Sequence, residues 1–468
     1  MLNLINRLFR KTWFPLVFQL LSLIVFILLI IGGLSANTDD PIFAKVLRNT
    51  NLSNLIVWSY WWSLIILSAM LFGRVWCTVC PMELISSLAS KFGLKRTAPR
   101  FLRSGWFITI FYVLILFVGI HTLSIHRVPY LMAIYMLILF GTVIVFGLIY
   151  SRNAFCAYVC PVGHLLGLYS RLAPFAWGVR NKSVCSDCSD KSCVSKKTAY
   201  NFQGRSCGVG LYPGNIEDDS QCIVCGQCTK ACDRNNPGDS ERPNPAWFSR
   251  PWFSGLLNLK PLSPAQMLFS LIVSGFVIYE VFSEWSVTKE ILSEIPAAAN
   301  HWLNTGAEWK GLIKSLTLFV LLPLVFWLLP FGLFRSVGGR LSISDYLLRF
   351  GISFIPIMAA AHAVKAVLKM TSRIPYWDHV FSDPTGTDTA QAILDKTLVL
   401  SSIPAWREPL ITVLALLLMT GGVVLSIFLI RKLISANLKN TNFGRMFMYL
   451  IPVLYGGLFL VGLIAWRY

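Results

Sequence analysis

The chain has 468 residues, of which 55% are hydrophobic and 13% charged, with a mean hydropathy of +0.62. That balance excludes an ordinary water-soluble protein and makes the bilayer the solvent. The formal charge of +19 does not point to nucleic acid, because lysine and arginine beside membrane helices are what topology demands and no basic tail or aromatic-basic module accompanies them.

A helix needs about 20 mainly apolar residues to cross a hydrocarbon layer of about 30 Å, since every backbone polar group must be satisfied internally. In chain order the runs that qualify are Pro15 to Leu34, Asn54 to Phe72, Gly105 to Ile125, Pro129 to Tyr150, Pro264 to Phe282, Ser315 to Phe334, Leu347 to Leu368, Leu410 to Ile430 and Met446 to Trp466, nine in all. The first is read as a retained helix, since its apolar run is long and no small-residue cleavage site follows it. The expected fold class is an all-α polytopic membrane protein with a small cytoplasmic ferredoxin-like α+β domain. Residues 1–177 form a four-helix membrane half, 178–262 the loop domain and 263–468 a five-helix membrane half.

Basic residues fix the expected orientation, because loops rich in them stay on the cytoplasmic side. Arg7, Arg10 and Lys11, then Lys91 to Arg103, the loop from Ser151 to Ser263, Arg335, Arg340 and Arg431 to Arg445 fall on one face. The N-terminus is therefore expected inside and the C-terminus outside. The front half also carries a weak repeat. Gly73-Arg74-Val75-Trp76-Cys77-Thr78-Val79-Cys80-Pro81 follows one span, and Ser151-Arg152-Asn153-Ala154-Phe155-Cys156-Ala157-Tyr158-Val159-Cys160-Pro161 follows another. A parallel repeat about an axis along the membrane normal would bring the two motifs together.

Eight of the twelve cysteines lie in the loop, which ends in a proline-punctuated linker, Arg242-Pro243-Asn244-Pro245 through Pro251. Cys222, Cys225, Cys228 and Cys232 have the C-x2-C-x2-C-x3-C spacing of a bacterial [4Fe-4S] ferredoxin, whose fourth cysteine reaches the other cluster. Crossed ligation assigns Cys185, Cys188, Cys193 and Cys232 to one cluster, and Cys207, Cys222, Cys225 and Cys228 to the other. A zinc site would show two separated C-x2-C pairs, and a reducing cytoplasm disfavours disulfides. Cys77, Cys80, Cys156 and Cys160 form a candidate third redox site, an iron-sulfur or other metal centre, with Arg74 and Arg152 near enough in sequence to favour thiolate. Free thiol pairs or packed apolar cysteines are the blander reading.

A helical membrane protein with two cysteine-proline motifs followed by a ferredoxin loop resembles the NapH/NosR-type membrane polyferredoxins. The resemblance covers Trp58 to Cys232 and is carried by Gly73, Arg74, Cys77, Cys80, Pro81, Cys156, Cys160, Pro161 and the loop cysteines. The family commonly writes both motifs as C-x3-C-P, whereas the first here has two intervening residues. The flavin-binding domain of the NosR branch has no counterpart in this sequence. The resemblance implies a bacterial inner membrane, an oxidoreductase subunit resembling a quinol dehydrogenase, and electrons passed between the clusters and a quinone or a partner redox subunit. An extracytoplasmic respiratory enzyme is a candidate partner. The rival expectations are a copper-ion reductase, and a redox-sensing maturation factor for a respiratory metalloenzyme.

In the seventh span His362 and Lys365 are three residues apart and Lys369 lies one turn further, so they share a face. Ionisable groups at that depth line a cavity, a quinone site or a proton path, unless the lysines snorkel to the interface. His121 and His126, near the outer end of the third span, could with His362 offer haem ligands or quinone contacts, of which haem is not expected. His164 is read as a neighbour of Cys160 rather than a ligand. Trp285, Trp302, Trp309, Tyr376, Trp377 and Trp406 are expected at the lipid interface.

Overall fold

The computed structural model describes every residue except 1, 202–203, 219, 234, 237–238, 244, 248–251, 305, 403, 405, 439–443 and 468. Asn244 and Pro251 of the expected linker, and Lys439 of the last basic segment, lie outside the described residues. Those described are mostly helical. Among the described residues eight helical stretches are long and apolar enough to cross a membrane: Leu16–Leu34, Leu52–Phe72, Pro129–Ile149, Pro264–Phe282, Lys310–Ser336, Ile343–Asp378, Arg407–Asn437 and Gly444–Ala465. The protein is thus a multi-pass helical chain. The remaining expected span, Gly105 to Ile125, is a shorter apolar helix, Trp106–Ile120. Its C-terminal end is cut short because His121 to Thr122 turn out of the helix and Ser124 adopts a left-handed backbone, which an L residue enters at a cost.

The chain divides into two compact units. One comprises Met1–Ile31, Leu67–Ile108 and Ala133–Asn258, and the other Gly32–Ile66, Thr109–Met132 and Leu259–Tyr468. All twelve cysteines belong to the first.

In that unit the N-terminal helix Leu2–Arg10 is amphipathic, and its apolar side joins an aromatic core. The Phe9 ring meets Phe14, Trp177 and Trp247 edge to face at 4.9, 5.4 and 5.7 Å, an arrangement favoured by the ring quadrupoles. Trp177–Val179 pairs antiparallel with Pro245–Trp247, tying the entry of the loop to its exit. Asn6 clamps the second strand, accepting from the Trp247 N–H at 3.0 Å. Gly226, between two of the loop cysteines, has φ +67° and lies so close to Phe9 that an added Cβ would sit 2.5 Å from the ring. Both constraints demand glycine there.

The second unit is a helical bundle with an aromatic centre. Trp327 is fully buried, stacks on Phe354 at 4.4 Å, and donates from Nε1 to Ser274 Oγ at 3.1 Å. Tyr346 donates to the Trp327 carbonyl at 2.8 Å and Tyr455 to the Ser274 carbonyl at 2.9 Å. Ile355–Ser372 packs along Arg407–Asn437 through small residues: a Cβ on Gly422 would fall 2.7 Å from that of Ala360. Close backbone approach of this kind drives helix association where lipid removes the hydrophobic incentive.

Replacing Trp327 by alanine removes a buried indole and its hydrogen bond and is expected to cost about 3–5 kcal/mol. Leu329→Ala, on a side chain 44% exposed to the surroundings of the bundle, is expected to change stability by less than about 0.5 kcal/mol. Thermal unfolding in detergent, followed by tryptophan emission, checks the contrast.

Candidate metal centre

Each cysteine-proline motif is built by the same local rule. A short helix, Trp76–Val79 or Ala154–Tyr158, carries the first cysteine. The chain then turns extended at the second cysteine, which caps the next helix, and proline occupies its first turn: Cys80 before Pro81–Phe92, and Cys160 before Pro161–Ser170. Proline is favoured there because its missing N–H is not needed and its φ is already helical. The sulfur is left facing the unsatisfied N–H groups of a helix start, where negative charge is stabilised. The Gly163 N–H donates to Cys160 Sγ at 3.3 Å.

The two motifs meet. Arg74 is buried, 3% exposed, and donates to the Cys156 carbonyl at 3.1 Å and to the Ser220 carbonyl at 3.4 Å. It also hydrogen-bonds the Cys77 sulfur. Gly163 leaves room for it, since a Cβ there would lie 2.3 Å from the guanidinium. Cys77, Cys80, Cys156 and Cys160 are near enough to influence one another's charge. Burial, then the neighbouring thiols, push Cys80 and Cys156 well above the ordinary thiol range. Burial and Cys77 push Cys160 up to about 11, against the pull of the Gly163 N–H and Arg74. Four buried thiolates together would repel strongly, so the set becomes stable in that form only with compensating positive charge such as iron.

The loop cysteines fall into two further groups. Cys193 is pushed up to about 12 by burial and then by Cys232, Cys185 and Cys188. Cys228 is raised by burial and then by Cys225, Cys207, Cys222 and, last, Cys193. The twelve cysteines, all among the described residues, form no disulfide. Among the described residues no three His, Cys, Asp or Glu side chains converge as ligands of one ion. A cubane cluster holds its thiolates farther apart than a single ion does, and the donor set, sulfur only and in fours, fits that group.

Arg152 has φ +61°, and its guanidinium donates to the carbonyls of Cys207 and Val194 at 3.3 and 3.1 Å, so it braces the loop. Half-buried His164 is pushed down to about 3 by burial, Arg74 and Arg171, which keeps it neutral.

Sequence reasoning overlooked Glu83. This carboxylate, 1% exposed, accepts from Gln19 Nε2 and Asn153 Nδ2, both at 2.6 Å, and from Arg205. Glu83 and Arg205 both act on Cys225, a loop cysteine, and on Cys156, a motif cysteine. Beside them opens a crevice of about 380 Å³ with apolar walls from Leu20, Leu23 and Leu84 and a polar end at Gln19, Arg205 and Lys230.

In the second unit His362 and Lys365 are buried, at 4% and 6% exposure. Lys365 does not snorkel: its Nζ donates to the Glu280 carbonyl at 2.8 Å and pairs with Glu284, with Glu280 Oε2 at 3.8 Å. A lone acid in an otherwise apolar span was the available signal for Glu280. His121 packs against Tyr279 and Phe319 at 5.3 and 4.8 Å.

Glu83→Gln leaves Arg205 without its counter-charge and is expected to destabilise the protein by about 3–5 kcal/mol. Iron retained through a desalting column, measured beside the thermal midpoint, is expected to fall with it.

The family described as a 4Fe-4S binding domain matches this chain twice, over residues 54–99 and 132–181, so each match contains one cysteine-proline motif. An uncharacterized protein of Methanocaldococcus jannaschii is 28% identical over 175 residues, 36% of this chain and 64% of its own length. The protein YccM of Escherichia coli strain K12, whose name assigns it to electron transport, is 29% identical over 158 residues, 28% of this chain and 44% of its own. The chain thus spans less than two thirds of either relative. No solved structure matches. These likenesses, with the cysteine sets, support an iron-sulfur electron-transfer protein.

Proposed function

We propose that the protein is a NapH/NosR-type polyferredoxin of the bacterial inner membrane that passes electrons between its cysteine-rich loop and a quinone or partner redox subunit. In this reading the N-terminus and loop are cytoplasmic and the C-terminus is extracytoplasmic. Cys185, Cys188, Cys193 and Cys232 hold one [4Fe-4S] cluster, and Cys207, Cys222, Cys225 and Cys228 another. Cys77, Cys80, Cys156 and Cys160 hold a third iron-sulfur centre. Such clusters accept and release one electron at a time with potentials set by charge and hydrogen bonding.

The observation that carries the proposal is the meeting of the two helix-capping cysteines, Cys80 and Cys160, with Cys77 and Cys156 around buried Arg74. Arg74 supplies fixed positive charge, and the Arg205–Glu83 ion pair, which carries no net charge, ties the motif cysteines to the loop cysteines. Arg152 holds the loop in place. The crevice of about 380 Å³, with leucines on one part of its lining and polar side chains on the rest, supports a quinone beside this site, within the range of about 300–1,000 Å³ usual for small-molecule pockets. The space beside His362 and Lys365, about 50 Å³, has less room for a quinone ring.

Iron and acid-labile sulfide on anaerobically purified protein, with electron paramagnetic resonance after dithionite, test the cluster assignment. About twelve irons per chain are expected in the wild type and about eight in Cys77→Ser/Cys156→Ser, at four irons per cluster. About eight in both would remove the third centre, and copper retained by the wild type but lost in the variant would favour the metal-ion reductase. Leu84→Trp, which fills the crevice, is expected to slow bleaching of the clusters' visible absorbance by an added quinol, or its recovery on adding a quinone to the reduced protein, about tenfold or more while leaving the dithionite reaction unchanged.

A further inference from the structure

The electron-transfer reading makes no use of the ionisable groups in the second unit. Helix Pro264–Phe282 is apolar apart from its polar ends, its serines and Glu280. The Glu280 carboxylate lines a cavity of about 50 Å³ together with Trp58, His126, His362, Lys365 and Lys369. Lys365 is committed elsewhere, to Glu284 and to the Glu280 carbonyl, and reaches the Glu280 carboxylate only at 3.8 Å. The indole N–H of Trp58 and Nδ1 of His126 are buried without a hydrogen-bond partner. Lys369 Nζ has no hydrogen-bond or ion-pair partner among the described residues, although it lies within the field of Glu280, Lys365, Arg48 and Arg373.

Donors and acceptors left unpaired around one small space are the signature of bound water, because each would otherwise cost about 1–3 kcal/mol. A cavity of about 50 Å³ admits a few waters, each needing about 10–15 Å³. Water there would connect an ammonium to a carboxylate and a free imidazole nitrogen. We propose that this cavity is a hydrated proton-binding site, in which a proton moves through water between Lys369 and the Glu280 carboxylate, with His126 as alternative acceptor. The exchange is balanced: Lys369 loses one proton and becomes an amine, and Glu280 gains it and becomes a carboxylic acid. In a low-dielectric interior the neutral pair competes with the separated ion pair because charge is costly to bury.

The groups that act on Glu280 are Lys365, Lys369 and His362 from its neighbouring helix and Glu284 just beyond the end of its own, and Arg373 acts on Glu284. Arg48, Tyr112, His121 and His126 act on it from the remaining segments, with Arg127 acting on Arg48, His121 and His126 and Lys314 beside His121. Arg48 and Arg127 disfavour a charged His126, and burial does so more strongly, so that its imidazole stays neutral and ready to accept. The proposal is independent of the cluster assignment, and so is its test.

Infrared difference spectra of the detergent-purified full chain between acid and alkaline pH are expected to show a carboxylic-acid carbonyl band that titrates and is lost in Glu280→Gln. Lys369→Met removes a facing cation, and is expected to move the midpoint of that band upward by about one pH unit, a tenfold change in proton affinity. Glu284→Gln should leave the band in place. An identical band in wild type and Glu280→Gln, or a midpoint unmoved by Lys369→Met, would overturn the proposal and leave a structural ion-pair cluster. Should Glu280→Gln not fold, the Lys369→Met shift decides alone.

Discussion

One carboxylate holds the cysteine-bearing unit together. Glu83 receives hydrogen bonds from the first membrane helix through Gln19, from the second repeat through Asn153 and from the loop through Arg205, while sitting on the first repeat itself. A buried charge of this kind is costly unless every lone pair is used, so the four segments cannot separate without exposing an unpaired ion. The sites at Cys80 and Cys160 inherit their positions from this knot. Gln19 extends it by donating also to the Thr78 carbonyl, between the two cysteines of the first motif, at 2.9 Å.

The helix caps add a second constraint. Proline is favoured in the first turn of a helix and costs about 3 kcal/mol in its interior, so cysteine followed by proline favours a thiol at a helix start. In both repeats that places backbone N–H groups around sulfur, as at Gly163. The raised proton affinity of the bare thiols and the donors aimed at their sulfurs pull in opposite directions, and a bound cation resolves the conflict in favour of thiolate.

Much of this was legible from periodicity and spacing. The long apolar runs announce the spans, because a membrane permits little else, and the short Trp106–Ile120 helix is where a run of apolar letters overstated the helix. The cysteine spacings and the repeated cysteine-proline grammar are local and read directly. Glu83, Arg205 and Gln19 are not, because each is a single polar residue whose partner lies more than sixty positions away. Glu280 was visible as the one acid within its helix, but its relation to Lys369 and His126 exists only in the folded bundle.

The two units solve opposite electrostatic problems. In the first, sulfur donors are arranged so that negative charge can be held, and the fixed cation Arg74 offsets it without needing to move. In the second, the cations outnumber the acids around a small cavity, and unpaired polar groups leave water as the means of satisfying them. Fixed cations suit a group whose charge changes by an electron, since they stabilise the reduced state with little rearrangement. Mobile water suits a group whose charge changes by a proton, since the proton needs a continuous path of donors and acceptors. The distribution of these two devices follows from which unit holds the thiols and which holds the buried Glu280.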